Sequence, residues 1–238
     1  MTKQEVYKGQ RSILVMVIGE SGRGKSRALI NMPPEATVVI DVVGKPLPFI
    51  GAGAKFKRGE NIFTLSEALP IIQKIEEVSR NKPTVEHVVI DDGQYIMATE
   101  FMAKANVKGY DKFTIMADNM WKILRVSANQ RDGMKVFLLC HEEQEEGQRH
   151  MKTLGKLLKE KLTPEGLSTI VLFAEAVKSG SKTQYYFSTQ TDGVTTAKSP
   201  EGMFPERIPN DLWLVSQRID EYYMGVPLEQ SKLNFEVK

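Results

Sequence analysis

The chain has 238 residues, room for one full α/β domain. Its 41% hydrophobic, 26% charged and 8% aromatic content excludes disordered, collagen-like and coiled-coil classes. Lys and Arg number 32 against 30 Asp and Glu, so a net charge of +2 supplies no global positive field and any basic surface is local. The single cysteine, Cys140, excludes an internal disulfide and a Cys-rich zinc site and points to a reducing compartment. Residues 1–11 are polar without an apolar core segment, and no run approaches the roughly 18 apolar residues of a membrane span. The expectation is a soluble, cytoplasmic protein with no membrane partner.

Short apolar runs alternate with stretches of helical spacing, the pattern of βαβ units around a parallel sheet. Residues 12–19 predict a strand buried on both faces. Residues 25–31 predict a helix that Pro33 and Pro34 end. A strand over 36–43 precedes a Gly- and Pro-rich loop over 44–53. Residues 65–80 predict an amphipathic helix with Pro70 in its first turn or at a kink. A third buried strand, 85–92, ends in two adjacent carboxylates. Helices over 94–106 and 113–131 flank a loop over 107–111, and 134–140 is a fourth strand. Residues 141–164 are polar and strongly charged. Strands over 168–174 and 183–189 around Lys178-Ser179-Gly180-Ser181 predict a β-hairpin, and 211–223 predict a last helix. Without repeats or a composition break, 1–238 reads as a single domain with a polar N-terminal arm over 1–11 and a C-terminal tail over 224–238.

Gly19-Glu20-Ser21-Gly22-Arg23-Gly24-Lys25-Ser26 matches G-x-x-x-x-G-K-[ST] in full, between a predicted strand and a predicted helix. The glycines let successive N–H groups face phosphates, and the helix N-terminus adds its positive end. These eight residues and Arg27 are the candidate nucleotide-binding residues. Lys25 reaches the β and γ phosphates and Ser26 ligates Mg2+. Val88-Val89-Ile90-Asp91-Asp92 supplies the acid such a site needs at the end of another parallel strand. Asp91 is the metal-side carboxylate. Asp92 either polarises the attacking water or caps the next helix, and both roles are compatible. His141 ends the fourth strand, where carboxyl ends converge on the ligand and a polar group can sense the γ-phosphate; the other reading is a strand-end histidine facing solvent. His87 reads as structural, and His150 has no assigned partner. No N-K-x-D guanine motif is present, Asn81-Lys82-Pro83-Thr84 lacking its Asp, so ATP is the expected nucleotide.

These residues resemble the P-loop ATPases of RecA-like type, and within them the compact RecA-core proteins that phages encode, some grouped with single-strand annealing recombinases. Besides the motifs above, the resemblance is carried by Leu154-Gly155-Lys156, Tyr185-Tyr186-Phe187, Thr189-Gln190-Thr191-Asp192-Gly193, Ala197-Lys198-Ser199-Pro200 and Ile208-Pro209-Asn210-Asp211-Leu212. It implies a RecA-like P-loop core: α/β, a mostly parallel central sheet flanked by helices, with a C-terminal β-hairpin. The strand ending in His141 resembles one whose terminal Gln couples the γ-phosphate to a DNA-binding loop. Here that loop is 142–162, with Arg149, Lys152, Lys156, Lys159 and Lys161 as possible phosphate contacts. Its acidic opening, Glu142, Glu143, Glu145 and Glu146, weighs against DNA, and a solvated charged helix over 151–162 is the other reading.

Lys198 resembles the lysine that such ATPases insert into the neighbouring subunit's nucleotide site, the role of an arginine finger, which implies a ring or filament. A surface lysine is the alternative, and Arg218 is a weaker substitute. One departure stands out. RecA-like proteins place a catalytic Glu just after the strand next to the P-loop, and in Val39-Ile40-Asp41-Val42-Val43-Gly44 that position reads Val43. Either Asp92, Asp41 or Glu20 replaces it as base, or hydrolysis is slow. The leading expectation is an ATP- and Mg2+-dependent ATPase acting on single-stranded DNA in phage recombination or replication, located in the host cytoplasm. The alternative is a poorly hydrolysing, nucleotide-gated adaptor recruiting a partner such as a single-strand-binding protein. A small-molecule kinase would want an arginine-rich lid, and Arg131, Arg149 and Arg207 are scattered.

Overall fold

Six consecutive apolar residues, Ile13–Ile18, form β1 at the middle of the sheet, every one of them buried. The computed structural model describes residues 3–9, 11–106, 109, 111–155, 157 and 162–237. The further strands are β2 (Thr37–Asp41), β3 (Ile62–Thr64), β4 (His87–Asp91), β5 (Lys135–Cys140), β6 (Glu142–Glu145), β7 (Gln148–Met151), β8 (Ile170–Ser179), β9 (Lys182–Ser188) and β10 (Arg207–Pro209). The helices are α1 (Lys3–Tyr7), α2 (Ala52–Lys55), α3 (Ala68–Asn81), α4 (Gln94–Ala103), α5 (Asp111–Ser127) and α6 (Leu212–Tyr223).

The main sheet runs β10-β9-β8-β1-β5-β4-β2-β3. From β8 to β3 all pairings are parallel, and β9 and β10 add antiparallel. This is the expected α/β class. Alternation along each strand sends side chains to two cores. Leu14, Met16, Ile18, Val88, Ile90, Val136 and Leu138 face Ile71, Ile75 and Val78 of α3 and Met116, Met120 and Ile123 of α5. Val15, Val17, Val89, Phe137 and Leu139 face Leu212, Val215 and Ile219 of α6. Each such side chain contributes about 1.5–3 kcal/mol by leaving water.

The local expectations meet several corrections. The helix expected over 25–31 is a single 3-10 turn, Ser26–Leu29. Only a few residues separate the loop from Pro33, which disfavours helical backbone at Met32, so an α-helix has no length to form. Pro70 lies in the first turn of α3. The arm is not simply polar: in α1, Val6 and Tyr7 are buried, and the Tyr7 hydroxyl donates to Asp220 Oδ1 of α6 at 2.7 Å. The charged segment opens with the β6–β7 hairpin, which ends at Met151; of the helix considered over 151–162, residues 152–155 are irregular and 156 and 158–161 lie outside the described residues. In the hairpin Glu145 pairs with Gln148 across a two-residue turn with φ of 50° at Glu146 and 82° at Gly147, the positive pair of a type I′ turn. Val107, Lys108 and Tyr110 of the expected inter-helix loop lie outside the described residues. No helix among the described residues is long and apolar enough to cross a membrane.

Candidate nucleotide-binding site

The loop that follows β1 turns through Gly22 and Gly24, with φ of 80° and 89°. Among the described residues, the amides of Gly22, Gly24 and Lys25 donate to no carbonyl, which leaves them for an anion. Lys25 is buried, and its Nζ folds back to donate to the carbonyls of Gly19 at 2.7 Å and Glu20 at 2.9 Å. Burial pushes this ammonium's pKa down, with Asp92 and Asp91 opposing. Glu20 and Arg23 pair with each other at 2.7 Å, and Arg23 also donates to the Ala176 carbonyl. The Arg27 guanidinium lies 5.2 Å from the centre of the Tyr185 ring. A cavity of about 320 Å³ opens on the loop, lined by Ser21, Gly22, Gly24, Lys25, Ser26 and Arg27 and by Lys45, Pro48, Asp92, His141 and Tyr185.

β4 delivers the acids. The Ser26 hydroxyl donates to Asp91 Oδ1 at 2.8 Å. Burial raises the Asp91 carboxyl to about 6 against the lowering effect of that hydrogen bond. Asp92 follows in left-handed backbone with φ of 61°, a conformation Asp tolerates better than most residues. It is not the N-cap of α4, which is Gly93. Its carboxylate instead meets Lys45 Nζ at 2.5 Å and His141 Nε2 at 3.6 Å. Burial alone would raise it, but the hydrogen bonds from His141 and Lys45 prevail and hold it at about 2. His141 accordingly does not project into open solvent. Its backbone N–H donates to Gln94 Oε1 at 3.1 Å and its ring stands edge-on to Tyr95.

The donor set fits Mg2+ together with a polyphosphate. A hydroxyl and a buried carboxylate oxygen stand side by side below the loop, hard oxygen ligands that leave the remaining positions to water and phosphate. Ser26 and Asp91 would hold the ion, and the free amides with Lys25 would hold the phosphates.

Other candidates fall elsewhere. β2 is not beside the P-loop strand: β5 and β8 flank β1, and β2 sits between β4 and β3. Val43 is 43% exposed on the loop after it. Of the three replacement bases, Asp41 is engaged by Arg58 at 2.8 Å and by the Gly44 N–H, Glu20 by Arg23, and Asp92 alone lines the cavity. Arg149 is no free phosphate contact: it binds Glu142 at 2.7 Å and Glu175 at 2.6 Å over the Phe173 ring. Lys152 is exposed, while Lys156, Lys159 and Lys161 lie outside the described residues. Lys198 pairs through its backbone with Val171, is partly buried, and does not line the cavity of its own chain. Arg218 cannot serve as a finger, since it is fully buried and donates to the carbonyls of Gly202, Met203 and Val226. His87 is structural as expected, its Nε2 2.7 Å from Ser216 Oγ, and His150 sits 3.6 Å from Glu143.

Lys45, Pro48 and Tyr185 are cavity residues to which sequence reasoning gave no role. The available signal for Lys45 is its place in the loop after a parallel strand, where ligand-binding residues gather.

No family model and no curated protein sequence matches the chain. Solved structures similar to it include a RadB recombinase at 15% identity, covering 80% of this chain and 88% of that one with a TM-score of 0.47. A KaiC-like protein of Pyrococcus horikoshii OT3 is 13% identical over 77% of this chain and 82% of its own, with a TM-score of 0.43. The flagellar accessory protein FlaH of Methanocaldococcus jannaschii is 12% identical over 86% of this chain and 88% of its own, with a TM-score of 0.43.

Proposed function

We propose that the chain binds ATP with Mg2+ at the loop after β1 and hydrolyses it. The observation that carries this reading is the Ser26–Asp91 hydrogen bond of 2.8 Å below an amide-lined loop, with a second carboxylate, Asp92, opening into the same cavity. Lys25 exchanges the Gly19 and Glu20 carbonyls for the β and γ phosphates. Ser26 and Asp91 hold the ion, which when bound draws charge off the phosphate oxygens. Asp92 orients a water whose oxygen bonds to the γ phosphorus and takes up its proton, while the bond from that phosphorus to the β–γ bridging oxygen breaks and its electron pair leaves with ADP. His141, in contact with Asp92, stands where loss of the γ-phosphate is felt.

Single-stranded DNA is the proposed effector, supported by position. The β6–β7 hairpin starts one residue after His141, so a strand bound there would lie next to the cavity. With Arg149 committed to Glu142 and Glu175, the contacts fall to Lys152 and to Lys156, Lys159 and Lys161. Self-association, and recruitment of a single-strand-binding protein, belong to the same proposal.

A second reading, the slowly hydrolysing nucleotide-gated adaptor, is favoured by Lys45 occupying Asp92 and by the absence of a carboxylate at Val43. ATP turnover by the purified protein, with and without single-stranded DNA and with Lys25→Ala as blank, separates the two. Mg2+-dependent turnover that DNA raises and the blank lacks supports the ATPase. Tight nucleotide binding with negligible turnover supports the adaptor, and no nucleotide binding at all overturns both.

A further inference from the structure

We infer that Lys45 supplies, from within the same chain, the second positive charge on the γ-phosphate, so that turnover does not depend on a lysine from a neighbouring subunit. The inference rests on the ATPase reading and identifies the activating residue of that site.

The position of Lys45 follows from register. Asp41 at the end of β2 pairs with Asp91 at the end of β4, and the Val42 N–H donates to the Asp91 carbonyl, so the chain leaving β2 emerges alongside Asp92. Gly44 then turns the loop back, its N–H bound to Asp41 Oδ1 at 2.8 Å. Arg58 fixes this turn from outside: its Nη2 donates to Asp41 Oδ2 at 2.8 Å and to the Gly44 carbonyl at 3.1 Å, and reaches the Lys45 carbonyl at 3.4 Å. The backbone that carries Lys45 is thereby tied to the same strand end that carries the metal-side acid.

The side chain is exposed where the backbone is held. It is 59% exposed, ends on Asp92 Oδ2 at 2.5 Å, and lies within 6.0 Å of the Tyr95 ring centre. It lines the same cavity as Lys25, so a phosphate chain seated on the loop amides has two ammonium groups within the cavity wall. A polyphosphate carries more negative charge than one carboxylate and pulls a flexible lysine more strongly. Besides Lys25 and Arg27 of the phosphate loop and its 3-10 turn, Lys45 is the lysine or arginine among the described residues that lines the cavity, and Lys198 does not line it. A charge delivered to the γ-phosphate in cis replaces what an arginine finger brings in trans.

The test measures affinity for fluorescent ATP and ADP analogues, and turnover per chain over a wide range of protein concentration, for wild type, Lys45→Met, Lys45→Arg, Lys198→Ala and Lys25→Ala. The expected result is that Lys45→Met keeps the wild-type affinity for the ADP analogue, loses the preference for ATP, and turns over about a hundredfold more slowly. Lys45→Arg retains the preference, and wild-type turnover per chain does not change with concentration. If Lys45→Met preserves both the preference and the rate, the inference is wrong. It is equally wrong if turnover per chain climbs with concentration and Lys198→Ala abolishes it. Wild type that binds neither analogue overturns the ATPase reading itself, and Lys25→Ala separates that outcome from a defect confined to Lys45.

Discussion

Two alanine substitutions at alternate positions of one loop isolate what the loop geometry demands. Gly22 and Gly24 both hold left-handed backbone, with φ of 80° and 89°. A Cβ at Gly22 would meet nothing within 4 Å. At Gly24 it would lie 2.8 Å from Tyr185 Cδ1 and 3.1 Å from Asn210 Oδ1. Gly22→Ala therefore introduces backbone strain alone, about 1–2 kcal/mol, which lowers Tm by roughly 2–8 °C for a chain of this size. Gly24→Ala adds a steric conflict. Tyr185 is only partly buried and its ring can swing away, so this addition falls near the low end of the roughly 1–3 kcal/mol for overpacking. The swing uncouples Tyr185 from Arg27 and shifts a wall of the cavity, so ATP affinity falls about tenfold more than in Gly22→Ala. Thermal unfolding of both variants, with titration of a fluorescent ATP analogue, reads the two effects separately. Tyr185→Ala combined with Gly24→Ala recovers about 1 kcal/mol in the double-mutant cycle because the conflicting ring is gone. Equal losses in the two glycine variants, or no recovery in the double variant, would refute the placement of Tyr185 against the loop.

Ser26→Ala removes the hydroxyl that meets Asp91, so the Mg2+-dependent part of ATP affinity falls about ten- to hundredfold while binding in EDTA is unchanged, as a Mg2+ titration of the fluorescent analogue will show. Arg58→Met frees the turn that carries Lys45, and kcat drops about tenfold at constant ADP affinity. Arg58→Lys restores part of the rate, a result that a merely structural arginine would not give in kcat alone. Arg149→Met leaves Glu142 and Glu175 without their shared cation, so amide exchange speeds up across 148–151, and any salt dependence of single-stranded DNA binding keeps its wild-type slope because Arg149 touches no phosphate.

The sequence makes β1, β4 and β5 readable because each is buried on both faces and so carries a run of consecutive apolar residues, 13–18, 88–90 and 136–140. The phosphate loop is readable for a related reason: its chemistry lies in consecutive residues, 19–26. The β6–β7 hairpin is harder to see, since its Glu142 and Arg149 form an ion pair instead of an alternating apolar face, and its one local signal is Glu146-Gly147 at the turn. Lys45 has no local signal at all. A lysine in a Gly- and Pro-rich loop shows neither period nor motif, and the family resemblance directs attention two residues earlier, to Val43. What assigns Lys45 a place is a pairing between distant segments, Asp41 beside Asp91, together with the hold of Arg58 on the turn that follows. The same pairing explains why the missing carboxylate at Val43 does not empty the site of function. The loop after β2 meets Asp92 in either case, and in this chain it brings a cation to an acid that β4 already supplies. In the proposed mechanism, charge on the γ-phosphate and the carboxylate facing the water thus come from the C-terminal ends of two neighbouring parallel strands, β2 and β4, and a chain so equipped has both within its own cavity.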